Sequence, residues 1–323
     1  MNIRTALYCI CFFLPALPGA AQQVIDKFTG INPVSYTAVV YTGRHDTVLV
    51  ATPSGRIARV IKGSGERVVA QLHDEIYALA YNKRTSEIAA ATLENGVVLL
   101  DGKSGRITRK LALPATWTIA LCYSDDYKWL ATFDQDARPH VWEVQEGYKE
   151  LQLPDSFPKG TIIAIDSHNM ATIASPKKLC FWDLKRRQLQ ESREIPAGKV
   201  MDKDAGGNVL IIDFNQCINY SSRQKAVVFS LQHPDWPYHD LEDSSKVYRA
   251  PYHMQLNAAR FTPTRIYTAG IDRTIRVWDK ASGKLLQTLT GHSGSVSKLK
   301  VSEDGKQVVS VDLKGILKFW DAE

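Results

Sequence analysis

Large apolar side chains recur along this chain at a nearly fixed spacing, and a period of about 40 residues admits few folds. Trp142, Trp182, Trp278 and Trp320 each end a run in which apolar and polar residues alternate. Val60, Leu100 and Tyr220 hold the equivalent places in laps that have lost the Trp. The seven positions are separated by 40, 42, 40, 38, 58 and 42 residues, so five intervals agree and the sixth is long by about 18. Alternation with period two is the pattern of a strand. The lap from Thr268 to His292 shows the unit most completely. Ile275 and Val277 alternate with Thr274, Arg276 and Trp278 after a turn at Asp272-Arg273. Gly283 supplies the positive φ of the next tight turn, and Leu285, Leu286, Thr288 and Leu289 begin another strand before Gly291-His292.

The order Gly-His, strand, turn, strand, Asp-containing turn, strand ending in Trp-Asp resembles the WD40 repeat, most closely in the last two laps. The resemblance implies an all-β fold, a seven-bladed β-propeller of four-stranded antiparallel blades. The last lap stops two residues after Asp321, with nothing behind it to form a fourth strand. Val24 to Thr29 precedes the first lap with no blade of its own and is predicted to close the ring beside Ile316 to Trp320. The resemblance also implies a buried hydrogen-bond network in each blade. Lap six offers His253, Thr268, Asp272 and Trp278, and lap seven offers His292, Ser310 and Trp320, with Lys314 where an Asp is expected. In lap three Asp136 precedes Trp142 by the same six residues that separate Asp272 from Trp278. These are structural roles, not a Ser-His-Asp nucleophile.

The opening 21 residues read as a cleaved export signal: Arg4, an apolar run from Ala6 to Leu17, and small residues Gly19, Ala20 and Ala21 before Gln22. The run is too short, and is broken by Pro15, for a membrane span. The expected mature chain, residues 22–323, is then a single propeller in the periplasm or outside the cell, a monomer with no transmembrane segment. Losing one Arg and no acid lowers the formal charge from +6 to +5, too mild for a nucleic-acid partner. Cys122, Cys180 and Cys217 remain, all in apolar strand runs, and read as packing cysteines. No CxxC occurs, and no cofactor or metal is expected.

Two other motifs fail on context. Gly291 to Ser295 lacks the final Gly of a hydrolase elbow and no helix follows it. Asp202 to Asn208, with Asp213 beyond, lacks the fifth ligand of a calcium loop and falls where any lap has a turn. The excess falls within an insertion at about 231–253, LQHPDWPYHDLEDSSKVYRAPYH, which joins one blade to the next on the end where the channel of such rings opens. Aromatics on a loop suit partner contact, so His233, Trp236, Tyr238, His239 and Tyr248 are the candidate binding residues. The turns after each third strand, carrying Lys62, Lys103, Arg106, Lys185 to Arg187, Arg223, Lys225, Lys280 and Lys284, form a basic rim on the opposite end.

The expected function is an exported, non-enzymatic scaffold that binds a protein through the channel-opening end. The alternatives are a metal-assisted hydrolase or lyase using His233, His239, Asp240 or Glu242, and a module that holds an anionic envelope surface through the rim. The closing strand gives a test: deleting Gln22 to Thr29 should lower the melting temperature far more than deleting a surface tail. An unchanged melt would remove the closing role.

Overall fold

A computed structural model describes residues 35–114, 118, 120–250 and 254–322. The leader, the expected closing strand Val24 to Thr29 and His253 lie outside the described residues. Among the described residues there is no α-helix, and 29 strands form seven sheets and one hairpin. Blade 1 is β1 (Ala38–Tyr41), β2 (Thr47–Ala51), β3 (Arg56–Ile61) and β4 (Gly65–Gln71). Blade 2 is β5 (Ile76–Asn82), β6 (Glu87–Thr92), β7 (Val97–Asp101) and β8 (Ile107–Leu111). Blade 3 is β9 (Leu121–Tyr123), β10 (Trp129–Phe133), β11 (Pro139–Glu143) and β12 (Lys149–Glu150). Blade 4 is β13 (Thr161–Ile165), β14 (Met170–Ser175), β15 (Lys178–Asp183) and β16 (Gln188–Glu194). Blade 5 is β17 (Lys199–Lys203), β18 (Asn208–Asp213), β19 (Gln216–Ser221) and β20 (Ala226–Gln232). After the hairpin β21 (Trp236–His239) and β22 (Val247–Ala250), blade 6 is β23 (Leu256–Phe261), β24 (Arg265–Gly270), β25 (Ile275–Asp279) and β26 (Leu285–Leu289). Blade 7 is β27 (Val296–Val301), β28 (Gln307–Asp312) and β29 (Leu317–Asp321).

Each blade is an antiparallel meander in sequence order. The seven markers of the period occupy one place in it, on the third strand. Val60, Leu100, Trp142, Trp182, Tyr220, Trp278 and Trp320 lie opposite Val48, Ile88, Leu130, Ala171, Val209, Ile266 and Val308 of the second strands. In blades 2, 4, 5 and 6 a bulge toward the fourth strand falls at this marker. The extra residue increases the local twist that a blade needs.

The core is divided into seven apolar clusters, one at each interface between blades. Side chains alternate between the two faces of a strand, so a single strand feeds two clusters. Val48 and Val50 of β2 pack toward blade 7, while Leu49 and Ala51 pack toward blade 2. The interface between blades 7 and 1 joins Tyr36, Val39, Val48 and Val50 to Val309 and Val311. Lys62 reinforces it, with Nζ 3.0 Å from Asp321 Oδ1 and 3.0 Å from Gln307 Oε1. The described part of blade 7 has three strands. Trp320 on its outer strand is half-buried, whereas Trp142, Trp182 and Trp278 are 3%, 2% and 6% exposed.

The hydrogen-bond networks depart from the expected residues in three blades. In blade 6 the histidine is His233, not a residue after the insertion: Trp278 Nε1 donates to Thr268 Oγ1 (2.8 Å), which bonds to His233 Nε2 (2.6 Å). The insertion separates this His from the strand it serves, which is why sequence spacing misleads. In blade 7 the carboxylate is Asp312, two residues before Lys314. Trp320 Nε1 donates to Ser310 Oγ (2.7 Å), Ser310 Oγ to His292 Nε2 (2.6 Å), and His292 Nδ1 to Asp312 Oδ2 (3.1 Å). Four backbone N–H groups, of Ser293, Gly294, Lys314 and Ile316, also donate to Asp312. These donors hold its carboxyl below the usual range despite its burial, and burial lowers the His292 pKa against the opposing pull of Asp312. In blade 3 the buried carboxylate is Asp134, not the exposed Asp136. Asp134 Oδ1 accepts from the Asp136 and Arg138 N–H groups (both 2.9 Å), and Oδ2 lies 3.4 Å from His140 Nε2.

Other laps have lost the network. Trp182 Nε1 is buried with no hydrogen-bond partner among the described residues, and Phe157 packs against the Trp182 ring at 4.9 Å. Cys180 and Cys217 are buried packing residues, as their strand positions predict, and Cys122 is half-buried on β9. The carboxylates of the calcium-like run serve other partners: Asp202 Oδ2 accepts from Phe261 N (2.8 Å), and Asp204 pairs with Lys280 (3.0 Å).

The two aspartates of blade 3 separate the structural reading from spacing alone. Asp134→Ala should cost about 2–4 kcal/mol in denaturant unfolding, because it strands buried donors. Asp136→Ala should stay within about 0.5 kcal/mol. The reverse ranking would contradict the assignment.

Candidate functional site

The turns between second and third strands, and the connections between blades, lie on one end of the ring, here called the upper end. The hairpin of β21 and β22 stands there. Its base is tied to blade 5: Asn215 Nδ2 donates to His233 O (2.9 Å) and to Asp235 Oδ1 (2.8 Å). The insertion is therefore a paired element rather than a loop, with Trp236 opposite Ala250 and Tyr238 opposite Tyr248.

The five candidate binding residues divide. His233 is 1% exposed and bound to Thr268, so it is a core residue and not a contact. Burial and the nearby Arg276 hold its imidazole below the ordinary range, while Asp272 opposes them. Trp236 and Tyr238 are placed by backbone alone on β21. His239 is exposed, with Nδ1 2.8 Å from Ser244 O, and Tyr248 is exposed on β22. Of the alternative catalytic set, His233 is buried on Thr268 and does not stand with His239 at a surface site. The Asp240 carboxylate meanwhile accepts the N–H groups of Glu242 and Asp243 in its own turn. Among the described residues no three His, Cys, Asp or Glu side chains gather as a metal site.

Two features of the upper end escaped the sequence reading. Phe214, Ile271 and Leu313 are 54%, 39% and 56% exposed. Each is the first residue after the second strand of its blade, in blades 5, 6 and 7. Three consecutive blades thus present an apolar side chain at the same turn. Leu241 at the hairpin tip is fully exposed beside them in sequence order. The signal was available: Asp213-Phe214, Gly270-Ile271 and Asp312-Leu313 each put an apolar residue in a turn, where polar residues are usual.

The second feature is the channel. The first strands of successive blades pack in a closed order, and β1 also packs against β27, so these strands line the axis. A cavity of about 630 Å³ opens at the upper mouth, bordered by Tyr36, Lys199, Phe214, Asn257, Lys298 and Leu313. Lys298 and Lys300 stand two residues apart on β27, hence on one face. Lys298 is exposed at the mouth, and partial enclosure by the channel, Lys199 and Arg260 lower its pKa. Burial, Arg260 and Lys298 lower Lys300 to about 8, partly opposed by Asp202. The nearby Cys122 thiol is pushed up to about 12 by burial, so it is protonated. The alternation in Lys298-Leu299-Lys300 could have announced this pair. A strand at the axis of a ring has no reason of packing to carry two lysines inward.

On the lower end the basic rim is present but partly neutralised. Lys62 pairs with Asp321 (3.0 Å), Lys280 with Asp204 (3.0 Å) and Arg186 with Asp183 (3.7 Å).

Comparison with known proteins places these features. The WD domain, G-beta repeat, matches residues 283–321, which span the end of blade 6 and blade 7. Cilia- and flagella-associated protein 52 of Macaca fascicularis is 21% identical over 319 residues, covering 94% of this chain and 52% of that protein. Periodic tryptophan protein 2 of Arabidopsis thaliana is 24% identical over 206 residues, covering 62% of this chain and 21% of its own length. Ribosome biogenesis protein YTM1 of Chaetomium thermophilum is 40% identical over 75 residues, covering 21% of this chain and 15% of its own. The chain thus spans about half the length, or less, of these relatives. With the repeat falling on the last blades and the described residues forming seven antiparallel blades, the chain carries a WD40 repeat and has the fold of a WD40-like β-propeller.

Proposed function

We propose that the chain is an exported, non-enzymatic scaffold that binds a protein partner on its upper end. The observation that carries this reading is the row of Phe214, Ile271 and Leu313, exposed at equivalent turns of three adjacent blades. Apolar side chains so placed gain nothing from the fold and lose on contact with water, so an apolar partner surface is their natural cover. The exposed hairpin residues Leu241, Val247 and Tyr248 extend the same end.

A non-enzymatic role is favoured by how the hydroxyl–His–Asp arrays are used. Thr268 and Ser310 are fully buried, and each hydroxyl already accepts from a Trp indole while bonding a His. Neither can meet a substrate. Export is favoured by the leader-like residues 1–21. The buried Cys217 thiol, its pKa raised by burial, is compatible with an oxidising compartment without arguing for one. The relatives' names, one tied to cilia and flagella and another to ribosome biogenesis, share no single process, so they support the scaffold and not a pathway. The rim as an envelope-binding surface is disfavoured by its own ion pairs.

The test is affinity capture from the envelope fraction of the source cell by three forms of the mature chain. The triple variant Phe214→Ser, Ile271→Ser and Leu313→Ser should lose a captured protein at least tenfold. A rim variant with Lys185, Arg186 and Arg187 changed to Gln should retain it, with both variants melting like the parent. Loss with the rim variant alone, or equal retention by both, would overturn the upper-end assignment.

A further inference from the structure

The channel holds more positive charge than its walls can balance. Lys298 and Lys300 project from one face of β27, Lys199 stands at the start of β17, and Arg260 is on β23 between them in ring order. Arg260 Nη1 donates to backbone oxygens of Met201 and Ala259, which fixes its guanidinium without neutralising it. Asp202 is the carboxylate that acts on Lys300, and it is also occupied by the Phe261 N–H. Among the described residues no acid pairs directly with Lys199, Lys298 or Lys300. Lys199 and Lys298 border the 630 Å³ mouth together with Asp213, while Lys300, Arg260 and Asp202 share one level further along the axis, so four cations face two carboxylates.

Like charges enclosed together destabilise a fold unless something compensates them. Enclosure and Arg260 disfavour the charged form of both Lys298 and Lys300, with Lys199 adding to the first and Lys298 to the second. Methionine would fill much the same length with no such penalty, and the packing around β27 asks for no charge. A cost of this kind at a cavity marks a binding site.

We propose that the central channel binds a small multivalent oxyanion, of the phosphate or carboxylate class, between Lys298, Lys300, Lys199 and Arg260. Lysine ammonium groups suit such a ligand as point charges that need no fixed fork geometry. The mouth, bordered by Lys199 and Lys298, has the volume of a small-molecule site, and Lys300 and Arg260 stand further along the axis on the neighbouring first strands. The enclosing walls reduce screening, so the attraction persists at salt concentrations that abolish binding to an open surface. The mouth is shared with Phe214 and Leu313 of the apolar row, but the lysine variants leave that row intact, so the anion site is tested independently of protein binding there.

Isothermal titration of the full mature chain with inorganic pyrophosphate, and separately with citrate, tests it. Saturable one-to-one binding of at least one anion is expected, weakened at least tenfold by Lys298→Met and by Lys300→Met. The variant Lys185→Gln with Arg186→Gln on the lower rim should bind as the parent does. Preference between the two probes assigns the phosphate or the carboxylate class. Without ligand, the two methionine variants should melt at or above the parent temperature, since each removes an uncompensated charge. Absence of saturable binding of either probe overturns the proposal, as does binding unchanged in both methionine variants. A lower melting temperature for both variants also counts against it, because the lysines would then be supporting the fold.

Discussion

Every blade here is a sheet with two apolar faces, and that single constraint shapes the molecule. A sheet covered on one face would leave the other in water, so the blades can rest only in a closed series in which each covers the next. The alternation within β2 shows the mechanism at one strand, with Val48 and Val50 serving one neighbour and Leu49 and Ala51 the other. The cluster that joins blades 7 and 1 is therefore as necessary as any other. Each fully buried Val or Leu contributes about 1.5–3 kcal/mol, so opening that interface would forfeit a share comparable to a domain's entire net stability of about 5–15 kcal/mol.

Closure also explains which residues were free to vary. The marker Trp contributes apolar area between blades, and Val60 or Leu100 supplies area too, so those laps lose the Trp and keep the fold. What they lose is the network. Where the indole stays without a hydroxyl to receive it, as at Trp182, a buried N–H goes unpaired, at a cost of about 1–3 kcal/mol. The ring tolerates this because its stability is spread over seven similar clusters rather than held at one site.

The period and the strand alternation made the architecture legible from sequence, down to the seven marker positions. The polar network was less legible. Asp272 and Thr268 followed the expected spacing, but Asp312 and Asp134 reach the same place from the end of the second strand, because a carboxylate needs only to meet the turn's N–H groups and not to keep one position. His233 was hidden for a different reason: an inserted hairpin moved it about twenty residues from the strand it serves, so a residue that looked like a surface contact is part of the core. The candidate binding surface was hardest to see. Apolar residues in the turns at Phe214, Ile271 and Leu313 and the alternation of Lys298 and Lys300 were local signals, but that three adjacent blades repeat the first and that Arg260 and Lys199 neighbour the second shows only when the blades stand in a ring.

The same closure that buries the apolar faces brings seven inner strands around one axis and makes an enclosed space out of otherwise ordinary strand surface. That enclosure is what gives the lysines of β27 an environment unlike any other lysine on the molecule. The most direct measurement is therefore the NMR titration of the Lys300 side chain, assigned by comparison with Lys300→Arg. A midpoint near pH 8, well below the ordinary 10.5, is the result that an enclosed cationic channel predicts. A midpoint that coincides with those of the surface lysines would mean that the axis is open to solvent, and would contradict the account.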